Sequence, residues 1–186
     1  MIKKLIPDYV FKSIYDIDFN KLYNDGIRLI LSDLDNTLIS YKQKEPYEDL
    51  FKWKKNLEDM GFEFIIVSNS RKERVTNFAN KFNVKCNKFS TKPLKRGIKR
   101  AIKKLASKKY NNDEIILIGD QLMTDILGAK RSKIKAGLVY PVDIKTEPKT
   151  TRFNRKMEQF FLNRIKKKKS DIYNMYLKEF DELNDW

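Results

Sequence analysis

An α/β fold organised around a parallel sheet is what this sequence predicts, on three observations. Short apolar runs at Ile27–Ser32, Phe62–Val67, Glu114–Ile118 and Ala136–Val139 have the continuous hydrophobicity of strands buried on both faces. Segments with apolar residues at helical spacing separate them, so strand and helix alternate as in βαβ units with right-handed crossovers. Three of the runs then end abruptly in polar residues: Asp33 and Asp35, Ser68 and Asn69, Gly119 and Asp120.

In chain order, Tyr9 to Gly26 reads as a short preamble in which Asp18 caps a helix over Asn20–Asn24. The first strand is Ile27–Ser32. Pro46 suits the first turn of a helix that carries Leu50, Phe51, Trp53, Leu57 and Met60 at helical spacing and stops at Gly61. Phe62–Val67 is the second strand, followed by a helix over Lys72–Phe82 with Val75, Phe78, Ala79 and Phe82 inward. Val84, Lys85 and Cys86 form a short third strand. Pro93 opens a helix with Leu94, Ile98, Ala101, Ile102 and Leu105 along one face. The fourth strand is Glu114–Ile118, then a helix over Leu122–Lys130, then the fifth strand, Ala136–Val139, closed by Pro141. Beyond a linker at Glu147–Thr151, Thr151 or Asn154 caps a helix whose stripe is Phe153, Met157, Phe160, Phe161 and Ile165, running into Lys166–Lys169. A last amphipathic helix places Ile172, Tyr176, Phe180 and Leu183 on one face. There is no internal repeat.

Composition narrows the chemistry. With 186 residues, 41% of them hydrophobic, the chain holds one domain over 1–186, with 1–26 as preamble and 147–186 as a basic helical extension. It contains no histidine, which removes the commonest general base, every Ser-His or Cys-His pair and nearly all zinc sites. The single cysteine, Cys86, excludes an internal disulfide, reads as a small buried hydrophobe, and fits a reducing, cytoplasmic setting. No run approaches the roughly 20 apolar residues of a membrane span, and the start, Met1–Pro7, lacks the apolar core of a signal peptide. The formal charge of +15 points to an anionic partner: phosphorylated substrate, acidic membrane surface or nucleic acid.

Parallel strands deliver their carboxyl ends to one edge of the sheet, so the polar run-ends converge there. Asp33, Asp35 and Thr37 come from the first strand, Ser68 and Asn69 from the second, and Asp120 with Asp125 from the fourth. Lys92, before the helix opened by Pro93, joins them. Two or three carboxylates for Mg²⁺, a carboxylate nucleophile, hydroxyl and amide donors and a fixed positive charge are the inventory of phosphoryl transfer. That chemistry depends on positioning and electrostatic stabilisation.

These residues carry a resemblance. Asp33-Leu34-Asp35-Asn36-Thr37 resembles motif I of the haloacid dehalogenase (HAD) superfamily. Ser68 resembles motif II, Lys92 motif III (preferred over its neighbours Lys88 and Lys95 for its Lys-Pro setting), and Gly119–Asp125 motif IV. Lys12–Asp18, the Gly-Asp-Gln-x-x-Thr-Asp run and Thr151-Arg152-Phe153-Asn154-Arg155 are similar to the YqeG-type, subfamily IIIA phosphatases, which resemble mitochondrial phosphatidylglycerophosphate phosphatases.

The resemblance implies a three-layer Rossmann-like fold without a cap domain. It implies Asp33 as nucleophile, forming an aspartyl-phosphate, and Asp35 as general acid and base, a contribution typically worth about 10²–10⁴ in rate. The implied Mg²⁺ ligands are the Asp33 and Asp120 carboxylates and the Asp35 backbone carbonyl. Asp125 and Thr37 stand behind them. Ser68 and the Asn69 backbone hold a phosphate oxygen, and Lys92 neutralises the phosphoryl charge. Gln121 matches the family pattern without a chemical role.

Neither Leu38–Phe62 nor Ser70–Lys92 has room for a cap, which predicts an open site and a bulky substrate. A lipid phosphate of the phosphatidylglycerophosphate kind leads. Protein or nucleic-acid ends are the alternative, as is a nucleic-acid-binding module with a vestigial site. For the basic tail helix two readings compete: its aromatic face packs on the sheet as core, slightly preferred, or it lies on an anionic membrane at the inner face of the cell membrane. There each lysine contributes about 1 kcal/mol.

Overall fold

The computed structural model describes residues 2–71 and 73–183, the side chain of Leu183 excepted. Six parallel strands form one sheet in the order β1-β6-β5-β2-β3-β4: β1 Tyr9–Phe11, β2 Leu29–Ser32, β3 Glu63–Val67, β4 Lys85–Asn87, β5 Ile115–Gly119 and β6 Lys135–Val139. The helices are α1 Phe19–Asn24, α2 Glu48–Asp59, α3 Glu73–Lys81, α4 Lys95–Leu105, α5 Leu127–Ser132, α6 Lys149–Lys168, α7 Ser170–Ile172 and α8 Lys178–Leu183. The α/β class and the parallel sheet are those the sequence predicts.

Strand alternation builds two cores. Leu29 and Leu31 of β2 face one side with Ile98, Leu127, Leu162 and Ile165, so α4, α5 and α6 cover it. Ile30 faces the other with Leu50, Trp53, Val75 and Phe78 under α2 and α3. Helices on both faces are why β2 and β5 read as unbroken apolar runs.

The structure departs from the expected elements in instructive ways. Tyr9–Phe11, read as preamble, pairs in parallel with Gly137–Val139 as an edge strand. Its residues are only half-buried, so three of them carry no strand signal of their own. The expected start of the third helix at Lys72 lies outside the described residues; the helix is seen from Glu73. Leu94 precedes α4 and is exposed rather than inward. The segment after β5 makes a π-helical stretch, Leu122–Ile126, before α5.

The tail corrects the preferred packing reading. Helix α6 begins at Lys149 after Pro148, two residues before Thr151. Phe161 and Ile165 are buried, but Phe153, Met157 and Phe160 point outward, and Arg155 and Glu158 occupy the inner face. A second π-helical stretch, Tyr173–Leu177, rotates the last segment so that Tyr173, Leu177 and Phe180 are buried and Tyr176 is exposed. The Leu183 side chain lies outside the described residues.

Candidate active site

The strand order reverses between β2 and β5, whose carboxyl ends open the crevice where α/β sheets bind ligands. Register fixes the meeting: Ser32 pairs with Ile118, and the Asp33 N–H donates to the Ile118 carbonyl at 2.9 Å. Asp33 and Asp120 therefore leave adjacent strands side by side. Gly119 is required here, because a Cβ on it would lie 2.3 Å from the Asp125 carboxyl carbon. Asp125 sits one turn into the following segment and accepts from the Gln121 N–H at 3.2 Å.

The carboxylates of Asp33, Asp120 and Asp125 offer oxygens within 4.8 Å of one another, and all three residues are buried. Lys92 Nζ donates to Asp33 Oδ1 at 2.7 Å and to the Val67 carbonyl at 2.7 Å, and lies 2.8 Å from Asp125 Oδ1. The loop presenting Lys92 is braced by Asn69: its Oδ1 accepts from the Lys92 N–H at 2.7 Å, and its Nδ2 donates to the Lys92 carbonyl at 2.9 Å. The Asn69 side chain thus holds the lysine, a task separate from the phosphate contact expected of its backbone. Gly97 of α4 abuts this loop; a Cβ there would fall 1.5 Å from the Ser90 carbonyl oxygen.

Asp35 lines the same cleft, but its carboxylate pairs with Arg74 of α3 rather than joining the cluster. Arg74 is itself anchored on the Gln43 and Ser40 carbonyls. Thr37 donates to Asp120 Oδ1 at 3.3 Å, so it is more than a turn residue. Ser68 is buried at the cleft wall, and its Oγ accepts from the Ser70 N–H at 3.1 Å. All eight residues singled out in the sequence (Asp33, Asp35, Thr37, Ser68, Asn69, Lys92, Asp120, Asp125) lie in or directly beneath one cleft of about 540 Å³.

Sequence reasoning missed the far side of the cluster. Arg155 of α6 ion-pairs with the Asp120 carboxylate, donates to the Asp120 carbonyl at 2.7 Å, and binds Glu147 at 2.7 Å and Glu158 at 3.1 Å. Glu147 in turn accepts from Asn36 Nδ2 at 2.8 Å, closing the network onto the Asp33–Asp35 loop. The available signal was the Thr-Arg-Phe-Asn-Arg run, which no spacing rule connects to Asp120. Thr150, Thr151 and Asn154 of α6 also wall the cleft, so the tail helix belongs to the site. A larger groove of about 730 Å³ between β1 and the C-terminal segment has no such convergence; its charges are mixed and paired, as in Lys12 with Glu179.

Electrostatics identify what this site lacks among its own residues. Burial, reinforced by Asp125 and Asp35 against the opposing Lys92, pushes the Asp33 carboxyl up to about 7. Burial likewise raises Asp120 well above the carboxylate range despite Arg155. Burial also pushes Glu158 up to about 7 against Arg155. Burial alone would lower the Lys92 ammonium, but Asp125 and Asp33 outweigh it and hold the group firmly charged. Apart from buried Asp35, which pairs with Arg74, five buried carboxylates (Asp33, Asp120, Asp125, Glu147, Glu158) face two buried cations, Lys92 and Arg155, among the described residues of the site. A hard divalent cation fits that excess and the all-oxygen donor set.

A family model described as mitochondrial PGP phosphatase matches residues 2–137. The chain belongs to that family. The Bacillus subtilis (strain 168) "Probable phosphatase YqeG" is 33% identical over 169 residues, covering 90% of this chain and 96% of its own. The protein is thus a HAD phosphatase of the YqeG type, a phosphoric monoester hydrolase. Among solved structures, a HAD subfamily IIIA hydrolase from Legionella pneumophila is 20% identical, covering 57% of this chain and 63% of that one, with a TM-score of 0.41. The magnesium-bound HAD hydrolase YfnB of Bacillus subtilis is 13% identical, covering 66% and 92%, with a TM-score of 0.44.

Proposed function

We propose that the protein is a Mg²⁺-dependent phosphomonoesterase that works through an aspartyl-phosphate on Asp33 and acts on a lipid phosphate of the phosphatidylglycerophosphate kind. The observation that carries this reading is the convergence of Asp33, Asp120, Asp125 and Lys92 at the foot of one cleft. Asp33, Asp120 and the Asp35 carbonyl would hold the cation, with Asp125 behind them. Bound there, it would neutralise phosphoryl charge and keep the carboxylates ionised.

The chain's own groups account for the rest. An Asp33 oxygen attacks phosphorus while the bond to the leaving alcohol breaks, and Asp35 supplies the proton that the alcohol oxygen needs. Arg74 engages one Asp35 oxygen and leaves the other for proton transfer. Asp35 then takes a proton from the water that attacks the acyl phosphate, releasing phosphate and restoring Asp33. Lys92 neutralises the transferring group, and Ser68 and the Asn69 backbone orient its oxygens.

The lipid assignment rests on the family's description and on a cleft that no cap closes among the described residues: only α2 lies between β2 and β3, and only α3 and β4 between β3 and Lys92. Phosphate release from phosphatidylglycerophosphate in detergent micelles, compared with phosphopeptides and terminal phosphates of nucleic acids, tests it. Hydrolysis confined to the lipid supports the reading; efficient turnover of another class with the lipid left intact defeats it.

A further inference from the structure

Helix α6 presents two opposed faces, and folding explains only one. The inner face carries Arg155, Glu158, Phe161, Leu162 and Ile165 into the protein. The outer face carries Phe153 at 65% exposure, Phe160 at 52% and Met157 at 39%, spaced to form one stripe about 10 Å long. Around them lie exposed Lys149, Arg152, Lys156, Arg164 and Lys167. Glu158 is the only acidic residue of α6, and it is buried, so the outer face is apolar and basic without one negative group.

Little of this serves the fold. Phe153 and Met157 are exposed, and Phe160 meets buried Phe161 edge-on with more than half of its own surface still open. The first-turn cations Lys149 and Arg152 oppose the helix macrodipole, while those of the last turn favour it. The stripe also starts at the catalytic cleft, since Thr150, Thr151 and Asn154 form part of its wall. The same edge of the sheet carries further exposed apolar residues: Phe89 after β4, Leu94 before α4 and Val142 after β6. Phe89 is held at φ +56°, a disfavoured region for a bulky side chain, with the Arg71 guanidinium 3.7 Å from its ring centre.

We infer that the outer face of α6, with the exposed apolar residues of the same sheet edge, seats the protein on an anionic lipid bilayer. Aromatic and thioether groups enter the acyl boundary while the basic ring meets lipid phosphates. No described helix is long and apolar enough to cross a membrane, so the contact is peripheral. A second copy of the chain is disfavoured as occupant, because two such basic faces repel. The inference deepens the lipid-phosphate reading and rests on it for its purpose: seating α6 brings the cleft to the interface where a lipid head group resides.

Sedimentation of the full chain with sucrose-loaded vesicles tests the inference. It should bind phosphatidylcholine vesicles containing phosphatidylglycerol and ignore phosphatidylcholine alone. Phe153→Ser with Phe160→Ser should weaken binding about tenfold per aromatic, and Lys156→Gln with Arg164→Gln about fivefold per charge. Both variants should keep the wild-type melting midpoint and rate on p-nitrophenyl phosphate. No affinity for the anionic vesicles, or affinity untouched by the aromatic pair, overturns the inference. So does a dimer by light scattering that the aromatic variant dissolves, or salt-resistant RNA binding lost in the same variants. Lipid hydrolysis in detergent without vesicle binding sinks the docking surface alone; vesicle binding without phosphate release from any phosphomonoester sinks the proposed function alone.

Discussion

Lys92 and Arg155 are the two buried cations that bracket the aspartate cluster, yet they stand on opposite sides of it. Lys92 lines the cleft and reaches Asp33 and Asp125, so a substrate phosphoryl group can meet its ammonium. Arg155 lies behind Asp120, off the cleft, with its guanidinium shared among Asp120, Glu147 and Glu158. In the proposed function the first cation acts on substrate, and the second fixes a carboxylate, as partners of metal ligands do. A planar guanidinium suits that second task, because it bonds several acceptors in a fixed fork where an ammonium cannot.

The comparison can be broken most decisively at the cluster's centre. Asp33→Asn should lower phosphate release by at least about 10⁴-fold, measured on any turned-over phosphomonoester, while the protein stays folded. Rates close to wild type would remove Asp33 as nucleophile and dissolve the distinction between front and back. Lys92→Met comes next, with kcat down about 10²–10³-fold that added Mg²⁺ does not restore. Arg155→Lys should behave differently: the Mg²⁺ concentration for half-maximal activity rises about 10–100-fold, and kcat at saturating Mg²⁺ stays near wild type. A kcat loss at saturating Mg²⁺ like that of Lys92→Met would erase the assigned difference.

The last effect is read on stability rather than rate: a pH dependence without metal. Asp33 and Glu158 titrate near 7 in the folded protein, against ordinary values of 3.8 and 4.5. Between those limits the folded state holds protons that the unfolded chain has released, so stability falls as pH rises from about 4 through about 7. Thermal melts in chelator should show that decline, and Glu158→Gln should make it shallower. Added Mg²⁺ should raise the melting midpoint most above pH 7, where Asp33 is ionised. A midpoint flat across this range in chelator would contradict the buried-carboxylate account.

Much of this architecture was legible because its causes are local. An apolar run that stops at Asp33-Leu34-Asp35 declares both a buried strand and the polar end of it, and the same holds for Ile118 followed by Gly119-Asp120. Strand and helix periods follow from side-chain direction along the backbone, which neighbours in sequence share. Tyr9–Phe11 escaped because three half-buried edge residues lack that repetition. The outward turn of Phe153 and Phe160 escaped for another reason: a stripe at helical spacing shows that a helix has two faces, not which one meets the sheet.

By itself, the sequence determined the alternation of elements, the sheet edge on which the aspartates gather, and the residue types available for chemistry in a chain without histidine. Tertiary structure alone decided the pairing of Asp35 with Arg74, the bracing of Lys92 by Asn69, and the reach of Arg155 to Asp120 across 35 residues of chain. The physical reason is the range of each cause. Burial patterns are written into consecutive residues, whereas an ion pair depends on which helix face the remainder of the core leaves room to bury.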